Sequence, residues 1–278
     1  MKGTPKARAL GRALRLAREE TGLGLRSFAT KIGRDPGMLS RWETGERNPQ
    51  VDQVAQILTM LGVTGERFDE IIALTKGTDE PHWLAITLPE QRQQLNALVD
   101  FEQSATRLTE VAPTLVPGLL QVTSYIKAIM TAGSVPPGEV AARVAIRIGR
   151  REVLATTPYL ALFGEAALRQ LIGGPEIMIQ QLRHLVEMAA RPNVEVRVIP
   201  FDSGWHPALE GLYSMVESGE TPPVVQLENR RSVLFLHEEQ DVDTYRDATE
   251  MVLRSAASAD ESIALIAEYT DRWEEATP

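Results

Sequence analysis

A chain of 278 residues with 43% hydrophobic and 24% charged side chains is long enough for two domains and has the composition of a core-forming protein, which excludes a disordered or collagen-like chain. It contains no cysteine, removing disulfides, thiolate nucleophiles and cysteine metal sites, and neither a run near the ~18 apolar residues of a membrane span nor a signal-peptide core interrupts it, so a cytoplasmic protein with no membrane partner is expected. The net charge of -9 is unevenly spread: residues 1–62 carry eleven Lys or Arg against six Asp or Glu, a net of +5, and the remainder eighteen against thirty-two, a net of -14, which points to polyanion binding by one end only.

The basic end reads as helical throughout. From Ala7 to Thr21 the apolar residues Ala7, Leu10, Leu14 and Ala17 recur at spacings of three and four while Arg8, Arg12 and Arg15 take another face, and Gly22 stops the helix. A second helix is predicted over 25–32, with Phe28, Ala29 and Ile32 inward and Gly33 after it. Asp35 as N-cap and Pro36 as first helical residue open a third helix to Thr44, closed by Gly45. Fourth and fifth helices are predicted over 51–61 and 66–74.

Five short helices with a tight turn between the second and third describe a helix-turn-helix domain. The segment AREETGLGLRSFATKIGRDPGMLSRWETGERNP resembles the Xre, phage-repressor-like family: an Arg ahead of a turn glycine, an Ala in helix two, Gly33 in the turn, then S-R-W-E-x-G-x-R-x-P. The resemblance implies that helix three enters the major groove and that Pro36, Gly37, Ser40 and Arg41 face base edges. Pro36 and Gly37 carry no side-chain donor, so polar reading falls on Ser40 and above all on Arg41, whose guanidinium can pair bidentately with guanine; a phosphate contact is its alternative. Thr44, Arg47 and Asn48 are expected at the DNA backbone. Many family members clamp a phosphate with a polar cap and a Gln at the start of helix two, where this chain has Gly24 and Leu25, which leaves Arg26 or Ser27 as substitutes. The resemblance also makes Arg18 and Glu43 a structural ion pair rather than DNA contacts.

TKGTDEP, between Leu74 and Pro81, reads as a linker, giving a helix-turn-helix domain over 1–76, a link over 77–81 and a second domain over 82–278. There a long helix is predicted from Thr87 to about Leu108, a Pro-Gly turn, a helix over 123–132 and another over 139–156 with Arg143, Arg147, Arg150 and Arg151 outward. Strands are expected over 159–163, 194–199, 212–216, 224–227 and 232–236, helices over 165–172 and 175–190, and two closing helices from about Asp241 and Asp260. The expected fold is thus an all-α five-helix domain followed by an α/β (α+β) domain with a roughly five-stranded sheet. PTLVPGLLQ, FGEAALRQLIGGPEIMIQQLRHLVEMAARPNVEVRVIPF, HPALEG and DESIALI resemble the effector domain that follows an Xre-type reader in many actinobacterial regulators. That resemblance implies sensing of a small ligand or of a small partner protein encoded nearby, an arrangement likened to toxin and antitoxin.

Catalytic signatures are lacking: no G-x-S-x-G, phosphate loop, dinucleotide fingerprint or H-E-x-x-H occurs, and neither enzymatic activity nor a cofactor is expected. A faint likeness of the loop around His206 to half of a phospholipase D-like fold fails because that chemistry needs H-x-K and position 208 is Ala. HEEQDVD could hold a cation through Glu238, Glu239, Asp241 and Asp243, although acids at a helix start also complement its dipole. Trp205, His206 and Glu210 form one candidate ligand or partner site, and the arginine stripe of Arg143, Arg147 and Arg150 another. Together these readings anticipate a homodimeric transcription regulator on double-stranded DNA, with an operator built as an inverted repeat, or an antitoxin-like protein that binds a small partner and regulates its own operon.

Overall fold

The computed structural model describes residues 3–80, 82–219, 221–230 and 232–276; Lys2, Pro81 at the end of the expected link, and residues 277–278 lie outside them. In chain order the elements are α1 (Pro5–Glu20), α2 (Leu25–Lys31), α3 (Pro36–Glu43), α4 (Val51–Met60), α5 (Glu66–Leu74), β1 (His82–Ala85), α6 (Leu88–Gln103), β2 (Arg107–Ala112), α7 (Thr123–Ala132) and α8 (Pro137–Gly149). There follow β3 (Tyr159–Gly164), α9 (Ala166–Arg169), α10 (Pro175–Ala189), β4 (Val194–Ile199), β5 (Tyr213–Glu217), β6 (Val224–Asn229), β7 (Ser232–Leu236), α11 (Glu239–Ser255) and α12 (Ala259–Glu275). Contacts divide the chain into two compact units, Met1–Phe101 with Glu220–Asp241, and Glu102–Gly219 with Val242–Pro278. This division does not follow the compositional link: within the first unit Thr78 is buried and its carbonyl accepts a hydrogen bond from Thr4 Oγ1 at 2.6 Å.

In the first unit the five helices begin and end where their caps dictate. Thr4 Oγ1 accepts from Ala7 N at 3.1 Å ahead of Pro5, Asp35 Oδ1 accepts from Met38 N at 2.9 Å ahead of Pro36, and Gln50 and Gln53 close a capping box on α4. Gly33, in the turn between α2 and α3, holds φ +65°, a left-handed conformation costly for any residue with a Cβ. Leu10, Leu14, Phe28, Leu39, Trp42, Ile57 and Leu58 are buried together as the helical core. Helices α1 and α3 meet where Gly11 lies: a Cβ there would sit 2.5 Å from the Trp42 carbonyl oxygen, so only glycine permits this approach. The same unit holds β1 antiparallel to β7 and β7 antiparallel to β6, with Trp83 edge-on to Phe235, centroids 5.6 Å apart.

The second unit is built on β5, β2, β3 and β4, with β2, β3 and β4 parallel and β5 antiparallel to β2. Strand β3, YLALFG, is buried along nearly its whole length, as a parallel strand covered on both faces must be. Helices α7 and α8 connect β2 to β3, and α9 and α10 connect β3 to β4, the βαβ crossovers that parallel pairing requires. The outer edge of β4 is closed by the α11–α12 turn, where Ala257 N donates to Val198 O at 2.9 Å and Val198 N donates to Ser262 Oγ at 2.9 Å.

An all-helical amino-terminal domain followed by an α+β arrangement is thus the fold. The strand count differs from the expected five: seven strands stand among the described residues. The two additions are β1, only four residues long, and β2, whose first residues, Arg107 and Leu108, fall at the end of the helix expected from Thr87 to about Leu108; that helix stops at Gln103. Residues 139–156 are likewise not one helix, since α8 gives way at Arg150 to a 3-10 segment through Ala155.

Candidate nucleic-acid interface

Helix α3 keeps one side open to solvent. Its buried stripe, Leu39, Trp42 and Glu43, leaves Pro36, Gly37 and Ser40 partly exposed and Arg41 exposed. Side chains on a helix lean toward its amino end, and Arg41 does so: one guanidinium nitrogen lies 3.7 Å from where a Cβ at Gly37 would be. Beyond the helix, Thr44 and Arg47 are exposed, and Arg47 N donates to Arg41 O at 3.1 Å, folding the loop back beside α3. Asn48 donates through Nδ2 to Asp79, so its amide is engaged within the protein. On α2, Arg26 is exposed, whereas the Ser27 hydroxyl donates to Gly24 O at 2.9 Å, occupying it at the helix start.

The cations of α1 serve the interior instead. Arg18 meets Glu43 through two hydrogen bonds of 2.6 and 2.8 Å, both side chains buried, and donates a third to Leu23 O at 2.7 Å; the bond to Glu43 raises the Arg18 pKa. Arg8, off the apolar stripe of α1, is buried. It lies 4.2 Å above the Phe101 ring and donates to Pro222 O at 3.2 Å, and burial lowers its pKa to about 10. Arg12 pairs with Asp100 at 3.3 Å and Arg15 with Glu19 at 2.7 Å, while Lys6 stands 5.9 Å from the Trp83 ring centroid. The partners of Lys6, Arg8 and Arg12 lie far along the chain, where spacing within α1 cannot reveal them. The described cations of residues 1–62 with neither an ion pair nor a ring contact are Arg26, Lys31, Arg34, Arg41 and Arg47, every one of them in α2, α3, the turn between them or the loop that follows.

In the second unit the candidate arginines do not form a common surface. Arg143 pairs with Glu139 one turn away at 2.7 Å, and Arg147 donates to Gln121 Oε1 at 3.2 Å. Arg150, expected outward, instead holds both oxygens of the buried Glu102 at 2.8 and 2.6 Å. A buried carboxylate needs a cation beside it, and Arg150 supplies it to Glu102. Arg151 contacts His184 Nε2 at 2.9 Å. Trp205 and Glu210 are exposed, whereas His206 is buried with Nδ1 unpartnered; burial lowers the His206 pKa. The apolar residues Phe201, Trp205 and Leu209 of this loop are each about 60% exposed. Among the described residues no three or more His, Asp or Glu side chains are placed to hold a metal ion, HEEQDVD included, and no helix is long and apolar enough to cross a membrane.

Residues 9–71 match the family model described as a helix-turn-helix domain, a DNA-binding unit. No curated protein and no solved structure matches the chain. Residues 95–268, more than half of the chain, match the model described as "Domain of unknown function (DUF5753)". The chain therefore belongs to that family, with a helix-turn-helix domain preceding the shared region.

Proposed function

We propose that this protein is a cytoplasmic, sequence-specific transcription regulator of the Xre type that places α3 in the major groove of its operator. One observation carries the reading: within residues 1–62 the described cations with neither an ion pair nor a ring contact are confined to the α2–α3 segment and its loop, where such domains meet DNA. Arg41 reads a base edge, with Pro36, Gly37 and Ser40 beside it against the groove floor; Arg26, Ser27, Thr44, Arg47 and Asn48 lie toward the phosphates. Ser27 and Asn48 must release or share their internal hydrogen bonds to do so, which makes Arg26 and Arg47 the stronger contacts. A homodimer presents two copies of α3 to an inverted repeat, and residues 82–278 dimerise and receive the signal, a small ligand or partner protein. In support, the loop bearing Trp205 exposes three large apolar side chains, more than a loop needs for its own packing.

Selection of bound sequences from a random duplex library tests this: inverted repeats with a shared guanine in each half are expected, and recovery of unrelated sequences would contradict it. Arg8 supplies a control. Because its guanidinium is buried, Arg8→Met is expected to leave operator affinity unchanged and stability within about 1 kcal/mol, the lost cation–π contact offset by relief of a desolvated charge. A DNA titration showing more than a threefold loss would place Arg8 at the interface instead.

A further inference from the structure

The amino end of α3 carries a notch whose walls have opposite hydrogen-bonding character. Gly37 supplies no side chain, and the point where its Cβ would lie is 3.1 Å from Asp35 Oδ1 and 3.7 Å from Arg41 Nη1. Asp35 and Arg41 are both exposed, and the structure closes no ion pair between them, so acceptor and donor stand side by side without consuming each other. Asp35 Oδ1 is held by the Met38 amide at 2.9 Å, which fixes the carboxylate of this exposed residue.

We propose that Asp35 and Arg41 together read a single G·C pair in each half-site, with Gly37 as the gap that admits it. This rests on the assignment of α3 to the major groove. In that groove a G·C pair presents two acceptors on guanine, N7 and O6, next to one donor on cytosine, the N4 amine. A guanidinium beside a carboxylate offers the complementary order, two donors then an acceptor. An A·T pair presents acceptor, donor, acceptor and a methyl group, which sets the adenine N6 amine against Arg41 and the thymine O4 against Asp35, both mismatched. Asp35 is therefore a specificity residue as well as a helix cap, and a side chain at position 37 would close the notch against the base pair.

Base analogues separate the two contacts. The full-length protein is titrated against its selected operator and against duplexes in which that guanine is replaced by 7-deazaguanine, which lacks the N7 acceptor, or its cytosine by 2-pyrimidinone, which lacks the N4 amine. The wild type is expected to lose about tenfold on each. Asp35→Ser preserves the cap, since serine caps as well as aspartate, and is expected to lose sensitivity to the missing amine while remaining sensitive to the missing N7. Gly37→Ala is expected to weaken the operator about tenfold while leaving binding to unrelated duplex within twofold. If Asp35→Ser responds to the missing amine as strongly as the wild type, or if Gly37→Ala binds the operator normally, the notch does not read the pair. If the wild type binds operator and random duplex equally, the assignment of α3 fails, and the inference with it.

Discussion

Glu43→Ala is expected to cost the helix-turn-helix about 3–5 kcal/mol, the penalty for stranding a buried charge. Glu43 takes both of its hydrogen bonds from Arg18, and the two side chains are 5% and 7% exposed, so water cannot replace the lost carboxylate. The pair joins the end of α1 to the end of α3, and Leu23 O, just past α1, accepts from the same guanidinium. Removing the acid thus loosens α3 and the turn before α2 at once. Against a total stability of about 5–15 kcal/mol for an ordinary domain, this removes from about a fifth to all of it. Replacing both partners, Arg18→Met with Glu43→Leu, is expected to recover much of the loss, because well-packed apolar groups tolerate burial better than an unpaired ion. Chemical denaturation of the three variants measures this; a Glu43→Ala loss under about 1 kcal/mol would show that the pair is hydrated and dispensable.

Arg41→Ala acts on recognition rather than on folding. The side chain is exposed and forms no ion pair, so the variant should melt with the wild type. Its loss removes about 1–3 kcal/mol of discrimination at one base pair, a factor of roughly 5 to 150. Site selection with the variant is expected to return operators degenerate at that position and unchanged elsewhere. Were Arg41 a phosphate contact, the variant would instead weaken every duplex equally and reduce the salt slope by about one. An unchanged preference at every position would remove Arg41 from the interface altogether.

Local signals carried the reader and failed for the parts that depend on distant chain. Asp35-Pro36, Gly22, Gly33 and Gly45 mark helix ends through caps and left-handed turns that involve only near neighbours, and the five helices begin and end within about two residues of their expected positions. Strand β4 was equally legible, because VEVRVI alternates. Strand β2 was not: RLTEVA follows a helix with only three residues between, and only its pairing with β3 and β5 identifies it. The arginines divide in the same way. Exposure of Arg41 follows from its place on an amphipathic helix, whereas burial of Arg8 depends on Phe101 and Pro222, and that of Arg150 on Glu102. Charge spacing along one helix says which side chains share a face and nothing about what that face meets. Asp35 was legible as a cap, but its position opposite Arg41 across Gly37 needed the backbone.

The measurement that bears most directly on DNA binding through the α2–α3 segment is the salt dependence of affinity. With Arg26, Lys31, Arg34, Arg41 and Arg47 as its cationic surface, the full-length protein on operator duplex is expected to show log K falling linearly with log salt concentration, at about -0.9 per phosphate neutralised and -4 or steeper in total. Arg47→Ala should reduce that slope by about one, and Arg15→Ala, which removes a cation already paired with Glu19, should not change it. A slope near zero, or one lowered by Arg15→Ala and not by Arg47→Ala, would contradict the assignment of this face to DNA.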